Sequence, residues 1–178
     1  MVRFLRFARP LRPWPQLALL FTVLSGVGGL HGATSPNATL LLKPNGGWCW
    51  FQDERAIIVG DQLIFGSVAG CNRDGFSSGD VVVTSRNLHT GLSRSATLHA
   101  KFQCDDHNVP ALLALPDGRI LATYQSHGRT KGFVGPDLMR WRRTLRPKDV
   151  SEWTPEQTLP IGADVSYSNL FRMPSEGG

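Results

Sequence analysis

The sequence predicts an all-β chain built from repeated antiparallel hairpins. Three observations predict it: short apolar runs bounded by turn residues, 19 glycines and 12 prolines spread over 178 residues, and no long amphipathic helical period beyond the N-terminal stretch. An apolar content of 41% with 19% charged residues excludes a multi-span membrane protein, a coiled coil and a mainly disordered chain.

The first 33 residues read as an export signal. Arg3, Arg6, Arg9 and Arg12 form a basic stretch with no acid, an apolar run follows from Leu17 towards Leu30, and Gly32-Ala33 offers a small-residue exit. The run is shorter than the roughly 20 residues of a spanning helix. His31 stands where a small residue is preferred, so an uncleaved N-terminal anchor is the alternative. Either reading exports the remainder, and a secreted or periplasmic location with no stable membrane insertion after cleavage is expected. The leader holds most of the formal charge of +5: from Thr34 onward 15 basic residues face 14 acidic ones. No basic stripe remains, and nucleic acid is not expected as a partner. Asn37-Ala38-Thr39 matches a glycosylation sequon and is taken as a chance match.

The remainder reads as strands in pairs. Ala56–Val59 and Leu63–Val68 flank Gly60-Asp61 and form a hairpin. Val81–Ser85 runs out to a turn near Thr90-Gly91 and returns through Ala96–His99. The third pair, Ala111–Leu115 and Arg119–Tyr124, turns at Pro116-Asp117-Gly118, where Pro presets φ and Gly accepts a positive one. Trp141 and Trp153 mark strand-like pieces further on, and the charged run Arg140 to Lys148 reads as a solvated loop. Strands at this spacing suit a sandwich, a barrel or a propeller, and the recurring strand–turn–strand unit favours β-propeller blades. Cys49, Cys71 and Cys104 contain no Cys-x-x-Cys pair. One disulfide with a thiol left over, or three buried thiols, both fit.

Two stretches carry a family resemblance: Gly46-Gly47-Trp48-Cys49-Trp50-Phe51-Gln52-Asp53-Glu54-Arg55-Ala56, and Asp105-Asp106-His107-Asn108-Val109-Pro110 with Pro116–Arg119 and Tyr124-Gln125-Ser126-His127-Gly128 behind it. With Tyr167-Ser168-Asn169-Leu170 they resemble the start of a secreted β-propeller of the bacterial neuraminidase (BNR) repeat group, similar to the seven-bladed ulvan lyases. The resemblance runs from about Gly46 to Pro174. At about 45–50 residues per blade, the segment from Thr34 to Gly178 makes roughly three blades of a probable seven. Closure needs at least four, so the chain is expected to be the N-terminal part of a longer, truncated propeller, inactive by itself.

What the resemblance implies is β-elimination on a uronate-containing, ulvan-like polysaccharide. Such a lyase neutralises the substrate carboxylate, removes the proton beside it and protonates the departing glycosidic oxygen. His and Tyr suit these tasks. His107 precedes the third hairpin and His127 follows it, so an antiparallel pairing brings both imidazoles to one end of the sheet. The resemblance puts His107, His127 and Tyr167 on the family's catalytic positions, with proton transfers at His107 and Tyr167 and carboxylate binding at His127. Asn108 and Arg55 are the substrate-binding candidates, although Arg55 also has Asp53 and Glu54 to pair with. The family's charge-neutralising Arg is expected beyond this chain; Arg172 has only a strand-end context. Each site residue also has a structural reading: His107 oriented by Asp105 or Asp106, His127 in an ordinary loop, Tyr167 packed in a strand.

No metal site is expected. Asp105, Asp106 and His107 are adjacent, and neighbours on a strand point apart unless the loop curls. Asn72, Asp74 and Asp80 match a calcium loop only loosely. No cofactor is expected, with structural calcium or zinc left open for a full-length protein. Trp48, Trp50 and Phe51 fit sugar stacking or the filling between blades. Two other functions stand beside the lyase: a sialidase-like glycoside hydrolase, which needs an arginine cluster and a Tyr nucleophile with a Glu partner, and a non-catalytic glycan-binding propeller.

Overall fold

The computed structural model describes residues 39–47, 49, 55–70, 79–128, 137–162 and 165–176. The leader, the aromatic and acidic residues between Trp48 and Glu54 other than Cys49, and Cys71, Asn72 and Asp74 lie outside the described residues. The segment up to Leu40 clusters apart from the unit that runs from Leu41 onward.

Alternating apolar residues and tight turns produce ten strands among the described residues of the second unit. In the first sheet, β1 (Gly46–Gly47) and β2 (Ala56–Val59) pair with opposite halves of β3 (Gln62–Ala69), followed by β4 (Val81–Asn87) and β5 (Ser93–His99). In the second, β6 (Ala111–Ala114), β7 (Ile120–Tyr124), β8 (Asp137–Arg146) and β10 (Gln157–Gly162) meander in order, and β9 (Asp149–Trp153) folds back on the end of β8. All pairings are antiparallel. The chain is all-β, and each sheet is a four-stranded meander of the propeller-blade type with one short accessory strand. Two such sheets are present among the described residues.

The core lies between the sheets. Ile64, Val81, Val83 and Leu98 from the first meet Leu112, Ile120, Ala122, Tyr124 and Val150 from the second. Burying each large apolar side chain is worth roughly 1.5–3 kcal/mol, so this shared layer holds the two sheets together. A polar knot closes one side of it. The Tyr124 hydroxyl donates to Glu156 Oε2 at 2.7 Å, His99 Nδ1 lies 2.6 Å from the same oxygen, and Arg140 Nε lies 3.5 Å from Oε1.

The three expected hairpins form with their expected turns. The run from Arg140 to Lys148 does not form a loop: through Arg146 it is strand β8, and only Pro147-Lys148 turns. Arg140 and Arg146 are accommodated in a central strand because their heads find partners, and arginine stems can cover apolar surface. The Arg140 guanidinium lies 4.8 Å from the Phe102 ring centroid beside Glu156, and Arg146 pairs with Asp149 and Glu152. Thr144, between them, is fully buried and accepts a hydrogen bond from the Ile120 amide at 3.0 Å.

Two glycines set the loop that enters β6. At Gly66, on β3, a Cβ would stand 2.8 Å from Pro110 Cγ and 2.9 Å from the Pro110 carbonyl. At Gly79, φ is +75° and a Cβ would meet the Gln103 backbone at 2.6 Å, while its carbonyl accepts from the Phe102 amide. These two contacts hold both ends of the segment from 102 to 110 against the first sheet.

Candidate functional site

Strand β6 starts at Ala111 because Pro110 cannot donate to the ladder and Asn108 is turned inward ahead of it. Residues 106–108 form a short 3-10 turn rather than an extended strand. Asp105 caps it, accepting hydrogen bonds from the His107 amide at 2.9 Å and from His107 Nδ1. Asp106 Oδ1 lies 3.1 Å from the same ring nitrogen. The alternation expected of these three neighbours fails here because the loop curls, and both carboxylates reach the imidazole.

His127 follows β7 and arrives at the same end. Its amide donates to Gln103 Oε1 and Asn108 Oδ1, both at 2.9 Å, and its carbonyl accepts from Gln103 Nε2 at 3.0 Å. The two imidazoles stack with centroids 4.0 Å apart and planes 23° from parallel. Tyr167 completes the group, its ring centroid 5.2 Å from His107 and 6.0 Å from His127. It lies outside any strand, with φ +65°. Positive φ is costly for an aromatic residue, by about 1–3 kcal/mol, and such strain gathers at functional sites. The surrounding segment is tied down at Val165, whose amide donates to Asp137, and at Ser168, whose hydroxyl accepts from Thr123. Partial burial raises the Tyr167 phenol above its ordinary pKa of 10, and the Cys49 thiol, which bonds to it, and the charges of Asp105 and Asp106 raise it further. Cys49 is free and buried, whereas Cys104 is disulfide-bonded.

The structure therefore brings His107, His127 and Tyr167 together. The two proposed binding residues stand differently. Asn108 is 1% exposed, and its amide group is committed to the His127 amide and the Gln103 carbonyl, the latter at 3.4 Å. That makes it a support for His127 rather than a contact surface. Arg55 is also buried, just before β2, where its carbonyl accepts from the Gly66 amide. Arg172 is exposed and lies in no strand. Asp80, from the loose calcium pattern, accepts a hydrogen bond from the Lys101 amide at 2.7 Å. Gln103 was not singled out in the sequence. No motif marks it, and its role depends on the hairpin returning His127 beside it.

No protein-family profile matches the chain, and no curated protein matches it. The chain is similar to an ulvan lyase described as a new family of polysaccharide lyase, solved free and bound to a saccharide of glucuronate and sulfated rhamnose. In both structures the identity is 18%, the TM-score 0.51, and the match covers 72% of this chain and 31% of the lyase. This chain thus spans about a third of that enzyme's length, and the likeness is one of fold. Among the described residues, no helix is long and apolar enough to cross a membrane.

Proposed function

We propose that this chain carries the proton-handling part of a secreted polysaccharide lyase that cleaves a uronate-containing, ulvan-like polysaccharide by β-elimination. The observation that carries the reading is the convergence of His107, His127 and Tyr167 at one end of a blade-type fold. The similarity in fold to an ulvan lyase bound to a glucuronate saccharide supports it. Residues 1–33 would export the chain.

The geometry suggests how the work is divided. Asp105 accepts from His107 Nδ1, which puts a ring proton on that nitrogen, and the neutral form of this ring carries its lone pair on Nε2. His107 is then the base that takes the proton beside the substrate carboxylate. The Tyr167 phenol, its pKa raised, keeps its proton at neutral pH and gives it to the departing glycosidic oxygen. One C–H bond and one C–O bond break as a C=C bond forms, with the proton on His107 replacing the one lost by Tyr167. His127, stacked on His107, faces the carboxylate.

A sialidase-like hydrolase needs an accessible tyrosine nucleophile beside a glutamate. The Tyr–Glu pair among the described residues is Tyr124 with Glu156, and Tyr124 is 1% exposed with its pKa well above 10. That counts against hydrolysis. The test is to incubate the full-length protein with ulvan and record the absorbance of unsaturated uronate ends. His107→Ala should lower product formation by about 10²–10⁴-fold while glycan binding persists. Binding by the parent protein without any unsaturated product would make it a glycan-binding propeller instead.

A further inference from the structure

Asp105, His107 and His127 offer three ligand atoms that all lie within 4.8 Å of one another. Two imidazoles and one carboxylate form a donor set suited to zinc-like transition cations, whereas calcium and magnesium take oxygen ligands. A second observation points the same way. His127 Nδ1 is shut off from solvent and has no hydrogen-bond partner, a state that ordinarily costs about 1–3 kcal/mol. The ring is held there by a main chain bonded on both its amide and its carbonyl. Asp106, 3.1 Å from His107 Nδ1, adds negative charge beside the three ligands.

We propose that Asp105, His107 and His127 bind one divalent transition cation of the zinc class. Zinc holds nitrogen and oxygen at about 2.0–2.2 Å, which puts tetrahedral ligands roughly 3.4 Å apart. Occupancy therefore turns the two rings out of their 4.0 Å stack. The cation takes His107 Nδ1 in place of the hydrogen bond to Asp105, and the ring proton moves to Nε2. This consequence rests on the lyase reading: a ring protonated at Nε2 no longer accepts the substrate proton, so the cation inhibits.

The experiment is calorimetric titration of the EDTA-treated, dialysed chain with Zn²⁺, with Co²⁺ absorption as a readout of the ligands. One equivalent of Zn²⁺ should bind, and His127→Ala and Asp105→Ala should each weaken binding by about tenfold or more. His99→Ala, whose imidazole belongs to the Glu156 knot, should bind as the parent does. His127→Gln and Asp105→Asn replace the alanine variants if those fail to fold. No binding to the parent overturns the proposal, as does unchanged affinity in both variants or a Co²⁺ spectrum with thiolate charge-transfer bands. Where the metal-free protein makes unsaturated product, loss of product at saturating Zn²⁺ supports the site, and indifference to Zn²⁺ overturns it. One equivalent bound through these ligands, with no product from the metal-free full-length protein, keeps the cation site and removes the lyase reading.

Discussion

At the scale of single residues, the site combines firm supports with one strained member. Asp105 fixes the His107 ring, Gln103 and Asn108 fix the His127 backbone, and Tyr167 is held at φ +65° against its own preference. Tyr167→Phe separates packing from chemistry, because it keeps the ring, the backbone and the 5.2 Å approach to His107 while removing the hydroxyl. Product formation should fall by about 10²-fold or more, with a denaturation midpoint within about 0.5 kcal/mol of the parent. A large stability loss with activity retained would make Tyr167 a packing residue. The meeting of the histidines could be read from the sequence, since a tight Pro-Asp-Gly turn forces entry and exit of one hairpin to the same end. The use of Asn108 could not. An asparagine in an Asp-Asp-His-Asn loop looks available for substrate, and only the returning chain shows that its amide serves a backbone 19 residues away.

At the scale of elements, the loop from 102 to 110 is the part on which the site depends, and β3 sets its position. Gly66 leaves no room for a side chain against Pro110. Gly66→Ala should destabilise by about 1–3 kcal/mol in chemical denaturation through overpacking, and should also lower product formation, because the displaced Pro110 carries the turn that bears His107. Stability unchanged within about 0.5 kcal/mol would mean that the loop yields freely and that β3 does not position it. The hairpins were readable because their turns have specific chemistry: Gly60, Gly91 and Gly118 all take positive φ at the expected bends. Strand β8 was not. Five arginines and lysines in nine residues look like a solvated loop until Glu156 and Phe102 are seen to receive Arg140, and Asp149 and Glu152 to receive Arg146. Those partners come from three other segments, and no local pattern announces them.

At the scale of the whole molecule, the two sheets share an apolar layer and one ionic knot, and the knot gives their union a pH dependence. Burial alone would raise the Glu156 pKa, but the hydrogen bonds from Tyr124 and His99 and the charges of His99 and Arg140 outweigh it and leave the carboxyl below its ordinary 4.5. A carboxyl depressed in the folded state adds stability that is complete above its unfolded pKa and disappears as pH falls through the folded one. Tyr124 is the converse. Burial first, then the bond to Glu156, raises its phenol far above 10, so its contribution is complete below pH 10 and is lost as pH rises through the folded value. Melting temperature should therefore be level from about pH 5 to 9 and fall on both sides. Glu156→Gln should cost about 1–2 kcal/mol near neutrality and flatten the acid limb, since the substituted amide has no proton to gain. A limb as steep in the variant as in the parent would move the acid sensitivity away from this knot. The His107 cluster lies elsewhere, at the loop end of β6, so the same variant should leave zinc binding unchanged, separating what joins the sheets from what the site does.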